Sequence, residues 1–384
     1  MTDFDRLLGD SLKAVRDDHI RSIEAEVPAA RARIGSRVRR RRFTFTAGGA
    51  ALAAAAVAVG VLVVQLAPPR VDRAAPVRPA GNPVVVATID VPGAVMMQPG
   101  LGALWVTHSD GIVGIDPERS VVETRSPVSP ADDIAVDDEA VYVTDAFGHG
   151  VSRVPFGSDE AASAITVPGL PGSIAAGEDR VWYASQIKQN DSTILYEADA
   201  ADLGYRSEFE FPGGVVADMT YADGAIWLSL GFYDGRYEVV RLSAGSDPDP
   251  RTFPLSKREG GPADIVVGEG AVWVLRHGTR NGGNTITRID PETGEVNERA
   301  VTLPDVIESV AAGEGYLWAT TAPLGMNMPK DAVSRLFRVD PRSLQISGDP
   351  LEVSHPGSKV AVGEGYVWVS DPNNRKIVQV DPYR

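Results

Sequence analysis

The chain has 384 residues, 39 of them Gly and 28 Pro, a composition suited to many short strands joined by tight turns rather than to long helices. It contains no cysteine, which excludes disulfides, thiolate metal sites and thiol nucleophiles. The net charge of −15 lies wholly outside residues 1–42, which hold 11 Lys and Arg against 7 Asp and Glu, and so acidic a remainder argues against nucleic acid as a partner.

Residues 1–42 read as a cytoplasmic helical arm. Phe4, Leu7, Leu8, Leu12, Val15, Ile20 and Ile23 recur at the three- and four-residue steps of one helical face, until Pro28 interrupts them. An isolated helix of this length is marginal in water, so its stripe needs a surface to lie on, either the membrane or a cytoplasmic regulator docked along residues 4–27.

Residues 43–67 read as a single transmembrane helix. Its most apolar part, Ala47 to Ala67, carries no charge and would span about 31 Å at the helical rise, close to the hydrocarbon thickness of a bilayer. Arg37 and the run Arg39 to Arg42 precede it, which puts the N-terminus in the cytoplasm and the rest of the chain outside the cell membrane. A cleaved signal peptide is the competing reading, but its N-region would be unusually long. The arm, arginine cluster and span together resemble membrane-anchored regulators of actinobacteria, including some anti-sigma-type proteins. Residues 68–83, with five prolines, read as an extended linker.

From residue 84 onward the chain repeats itself. Trp105, Trp182, Trp227, Trp273, Trp318 and Trp368 fall in copies of a GEGAVWV motif, and Tyr142 takes the same place in DDEAVYV. Successive slots lie 37, 40, 45, 46, 45 and 50 residues apart, the period of a four-stranded propeller blade. The expectation is an all-β, seven-bladed propeller over 84–384. Each blade divides into four strands, as in ADIVV, AVWVL, TITRID and VNERAVTL of the fifth repeat. After Trp368 there is room for only one more strand, so the ring is expected to close by strand 83–91 pairing with 376–382, which leaves no exposed edge. The tryptophans are expected to fill the wedges between blades.

The units VGEGAVWV, TITRIDPETGEV, VGEGYVWV and KIVQVDP resemble the blades of streptogramin-lyase-like and NHL-like propellers, a group that merges with quinoprotein-like repeats. That resemblance implies the fold. Streptogramin lyases carry an acidic residue after the aromatic pair and histidines in late blades. Here Val274, Leu275, Ala319 and Thr320 stand in those places, so the lyase apparatus is not carried over, and no cofactor is expected.

Function is expected on the face that collects the loops after each second strand and each fourth strand. Phe232, Tyr233, Arg276, His277, Arg280, Met326 and Met328 all map there, a mixture suited to an extracytoplasmic protein, peptide or glycan ligand. His108, His149 and His355 map to neighbouring blades and are weak candidates for a metal or acid–base site. The Asp residues of the IDP-type turns, Asp116, Asp290, Asp340 and Asp381, read as turn formers. The run Asp132, Asp133, Asp137, Asp138, Glu139 reads as a solvated acidic edge. The chain is therefore expected to be a membrane-anchored, non-enzymatic binding or sensing module, with a surface lyase or hydrolase using the loop histidines as the alternative.

Overall fold

The computed structural model describes residues 81–384, apart from 109, 129–130, 159–162, 188–191, 245–249, 279–283 and 324–331. All of these belong to the compact unit Val77–Arg384. The arm, the apolar segment and most of the linker read from the sequence lie outside the described residues. Among the described residues no helix is long and apolar enough to cross a membrane.

Among the described residues, twenty-eight strands form seven antiparallel four-stranded sheets. The protein is a seven-bladed β-propeller. The inner strands, in blade order, are Met97–Gly100, Asp133–Val136, Leu170–Gly177, Gly214–Ala222, Gly261–Gly268, Val306–Gly313 and Val360–Gly363. Each contacts the inner strand of the next blade, and the seventh contacts the first, so the ring is continuous. Blade seven takes its outer strand from the start of the propeller. Val84–Asp90 pairs antiparallel with Lys376–Asp381, from Val84 opposite Asp381 to Asp90 opposite Lys376.

Each blade-to-blade seam has its own apolar cluster, and each cluster contains one aromatic from the repeated slot. Trp368 of blade seven packs with Leu104 and Val106 of blade one, Trp318 with Val367 and Val378 of blade seven, and Tyr142 of blade two with Val181 and Tyr183 of blade three. Trp105, Trp182, Trp227 and Trp273 fill the other four seams in the same way. In blades one, five, six and seven the indole nitrogen donates to the carbonyl of the glycine five residues earlier, as Trp273 does to Gly268 at 3.0 Å. Blade two has no glycine there. Asp137 replaces it, and the Tyr142 hydroxyl donates to the Asp137 carboxylate at 2.8 Å in place of the indole bond.

The hairpin between first and second strands shows why the motif reads Gly-Glu-Gly. The first glycine sits against the next blade: a Cβ on Gly363 would lie 2.5 Å from the Cβ of Pro99. The glutamate and second glycine both have positive φ, 54° and 77° at Glu269 and Gly270, as a type I′ turn requires. Glutamate pays strain there. In return the Glu269 carboxylate accepts the amide of Gly315 in the next blade at 2.9 Å, and Glu364 accepts that of Gly102 at 3.2 Å.

The IDP turns are local structures, as their composition suggests. Asp116, Asp290 and Asp340 each accept the amides two and three residues ahead, and Asp381 accepts that of Tyr383. The seam between blades seven and one is further closed by Gln379. Its side chain is fully buried, donates to Pro117 O at 2.6 Å and accepts from the Ser120 hydroxyl at 2.7 Å.

Candidate functional site

Inner strands of a propeller begin at the loop face and converge on its axis. Here the residue nine positions before each aromatic slot lies on an inner strand or just before it, which makes an axial ring of Met96, Asp133, Ser173, Asp218, Asp264, Ser309 and Lys359. Across this ring Lys359 Nζ donates to Asp264 Oδ1 at 2.8 Å, reaching from blade seven past blade six to blade five.

The other acidic members bridge seams. Asp133 accepts the amide of Ile134 through one oxygen at 2.8 Å and that of Ile174, on blade three, through the other at 3.0 Å. Asp218 repeats the pattern with Met219 at 2.8 Å and with Ile265, on blade five, at 2.9 Å. At Ser309 the hydroxyl oxygen takes the same role toward Val360 of blade seven at 3.4 Å. Hydroxyls on the second strands hold the backbone just outside the ring: Thr144 donates to Gly172 O, Ser229 to Ala263 O and Thr320 to Ser358 O, each in the following blade.

Three carboxylates meet one ammonium at this place, and their protonation reflects it. The carboxyls line the axis yet lie deep in the protein. Loss of water pushes Asp133 up to about 6, against the pull of its two amide bonds and of Lys359. Asp218 is held well above the ordinary carboxylate range, by the same desolvation and by the charges of Asp264 and Asp133. Desolvation works against the charge on Lys359, but Asp264, Asp218 and Asp133 outweigh it and hold its ammonium above the ordinary value.

Around the ring, the loop face carries two strongly exposed aromatics. Phe147, on the second-strand loop of blade two, is 87% exposed, and Tyr233 of blade four is 62% exposed. Tyr233 accepts a hydrogen bond from Gln186 of blade three at 3.3 Å, which ties two neighbouring loops together. Phe232 is half-buried, with the Arg236 guanidinium 4.2 Å over its ring. Val95, beside the axial Met96, is 55% exposed.

Among the residues expected to bind a ligand, Phe232, Tyr233 and His277 stand at the loop-face ends of their strands. Arg276 differs from expectation. It has no exposed surface, and its guanidinium donates to Ser256 O, Gly260 O and Glu298, with the Tyr237 ring 5.8 Å away. Strand alternation turns it inward, where it clamps the loop leading into blade five. Arg280, Met326 and Met328 lie outside the described residues.

The histidines are each held by a neighbour in the same or an adjacent loop. His108 Nδ1 accepts the amide of Asp110 at 3.1 Å, and burial lowers its pKa. His149 donates from Nδ1 to Gly169 O, and His355 Nδ1 lies 3.3 Å from Asp371 Oδ2 and 2.9 Å from Asn374 Nδ2. Among the described residues no group of three or more His, Asp or Glu is placed to hold a metal ion, so His108, His149 and His355 are not brought together.

No protein-family model and no curated protein matches the chain in sequence. Solved structures do resemble it in shape. Hydrazine synthase of Kuenenia stuttgartiensis superposes with a TM-score of 0.59 at 12% identity, over 76% of this chain and 96% of that one. The WD40 repeats of RRP9 give 0.56 at 14% identity, over 80% and 99%. The β-propeller domain of Cps50 (Swd1) from Myceliophteria thermophila gives 0.56 at 11%, over 76% and 98%. The likeness is one of fold. It joins proteins of unrelated activity, so it leaves function to the loop face and the axial ring.

Asp133 corrects the sequence reading most directly. Within an acidic run it looks like part of a solvated edge, but whereas Asp132, Asp138 and Glu139 of that run are exposed, Asp133 is half-buried and faces the axis. The signal that locates it is the fixed distance to the aromatic slot, a position that holds Asp, Ser or Lys in six of seven repeats.

Proposed function

We propose that the protein is a non-enzymatic binding module that presents its loop face to a protein or peptide partner. One observation carries this reading: two highly exposed aromatics, Phe147 and Tyr233, stand on a rigid ring of blades whose axial mouth combines three carboxylates with Lys359. Exposed aromatic side chains offer large contact area at low entropic cost, and a rigid scaffold adds little ordering cost on binding. A WD40-like architecture is compatible with this use.

The sequence adds the setting. We read residues 43–67 as a single membrane span, residues 1–42 as a cytoplasmic arm able to engage a regulator, and the propeller, of streptogramin-lyase-like or NHL-like type, as extracytoplasmic. Gly81 reaches the propeller at the hairpin-turn side, where its carbonyl accepts from Arg338 at 2.9 Å.

The test is affinity recovery after crosslinking in native membranes, comparing the full-length chain with a Phe147→Asp/Tyr233→Asp variant. The expected outcome is a specific partner that wild type retains and the variant loses. Equal recovery by both would overturn the loop-face assignment, and protease protection of the propeller in intact cells would overturn its extracytoplasmic placement.

A further inference from the structure

The axial ring contains more negative charge than its partners neutralise. Asp264 is paired with Lys359, but Asp133 and Asp218 receive only backbone amides. The positions facing them from the remaining inner strands are Met96, Ser173 and Ser309, none of which carries charge. One step outward, Asp132 is held by the amide of Ala146, and Glu308 by Ser334, Ser358 and the amide of Gly357. Among the described residues no second cation is paired with the ring. Both unpaired carboxylates are also seam bonds, joining blade two to three and blade four to five.

We propose that this ring is a proton-responsive lock on the propeller: on mild acidification Asp133 and Asp218 take up protons, which relieves their repulsion of one another and of Asp264 and stabilises the inner seams at the loop face.

The direction follows from linkage. A carboxyl whose folded pKa is raised contributes stability that is fully present below its unfolded value and is lost as pH rises through the folded value. For Asp133 that loss is centred near 6, and Asp218, whose pKa is also raised, loses its contribution in the same direction. The raised Lys359 loses its contribution only above the ordinary lysine range, outside the window. His108 acts in the opposite sense, because its lowered pKa favours the folded state as pH rises. Its contribution is common to wild type and ring variants, and it cancels in their difference.

The chain itself supplies the replacement. Serine occupies the same ring position in blades three and six, and at Ser309 it keeps the seam bond. The experiment is thermal unfolding of the full-length chain at fixed scan rate from pH 5.5 to 8, for wild type, Asp218→Ser and Asp133→Ser/Asp218→Ser. Wild-type Tm is expected to fall across this range relative to the double variant, with the single variant between them. Infrared spectra of the wild type should show a protonated-carboxyl band at pH 5.5 that bleaches by pH 8. Parallel Tm profiles in all three proteins would overturn the proposal. If the double variant fails to fold, the single variant and the wild-type band decide, and absence of that band overturns it.

Discussion

Within the repeated hairpin, neighbouring residues meet quite different constraints. Gly363 and Gly365 flank the same glutamate. The first is packed against Pro99, whereas the second has φ +79° with open space where a Cβ would go. Gly363→Ala must push blade seven away from blade one, at a cost of about 1–3 kcal/mol typical of overpacking. Gly365→Ala meets only backbone strain, about 1 kcal/mol. Denaturant unfolding of the two variants is expected to rank them in that order. Replacing the buried Trp273 with Ala removes most of one seam cluster and is expected to cost about 3–5 kcal/mol, read as a lowered midpoint at unchanged slope. Such roles are legible from residue type, since only glycine tolerates both contacts. The role of Asp133 is not, because its partners come from blades three, five and seven.

At the level of elements, the outer strand Val84–Asp90 connects the two ends of the propeller. Its Ile89 is buried in the seam cluster around Trp368, opposite Ile377. Ile89→Glu places a charge there and is expected to detach the strand, leaving the edge of Lys376–Asp381 unpaired. A lowered Tm and concentration-dependent association in sedimentation should follow. The four-strand division of each blade was readable because alternation and turn residues are local signals. The inward turn of Arg276 was not. It stands one residue from the end of its strand, and whether that end projects into solvent or under the next loop depends on where Ser256 and Gly260 are placed.

For the whole molecule, charge and protonation set the expected behaviour. Residues 84–384 hold 23 Lys and Arg against 44 Asp and Glu, so this part of the chain is expected to bind DNA no more tightly at low salt than at high salt, as checked by fluorescence anisotropy. At strongly acidic pH the trend of the whole molecule's stability with pH reverses sign. Asp199, held low by its bond to Arg206, and Asp290, held low by the amide of Thr293, contribute stability that is lost as pH falls through their folded values. Stability against pH is therefore expected to pass through a maximum below neutrality, measurable by chemical denaturation across pH 3 to 8.

The sequence by itself determined the all-β class, the blade number and the tasks of glycine and tryptophan, because each is written within one repeat and copied along the chain. Tertiary structure alone decided that Asp133, Asp218, Asp264 and Lys359 form one site. Those residues are separated by up to the length of five repeats, and only closure of the ring around its axis brings their charges within range of one another.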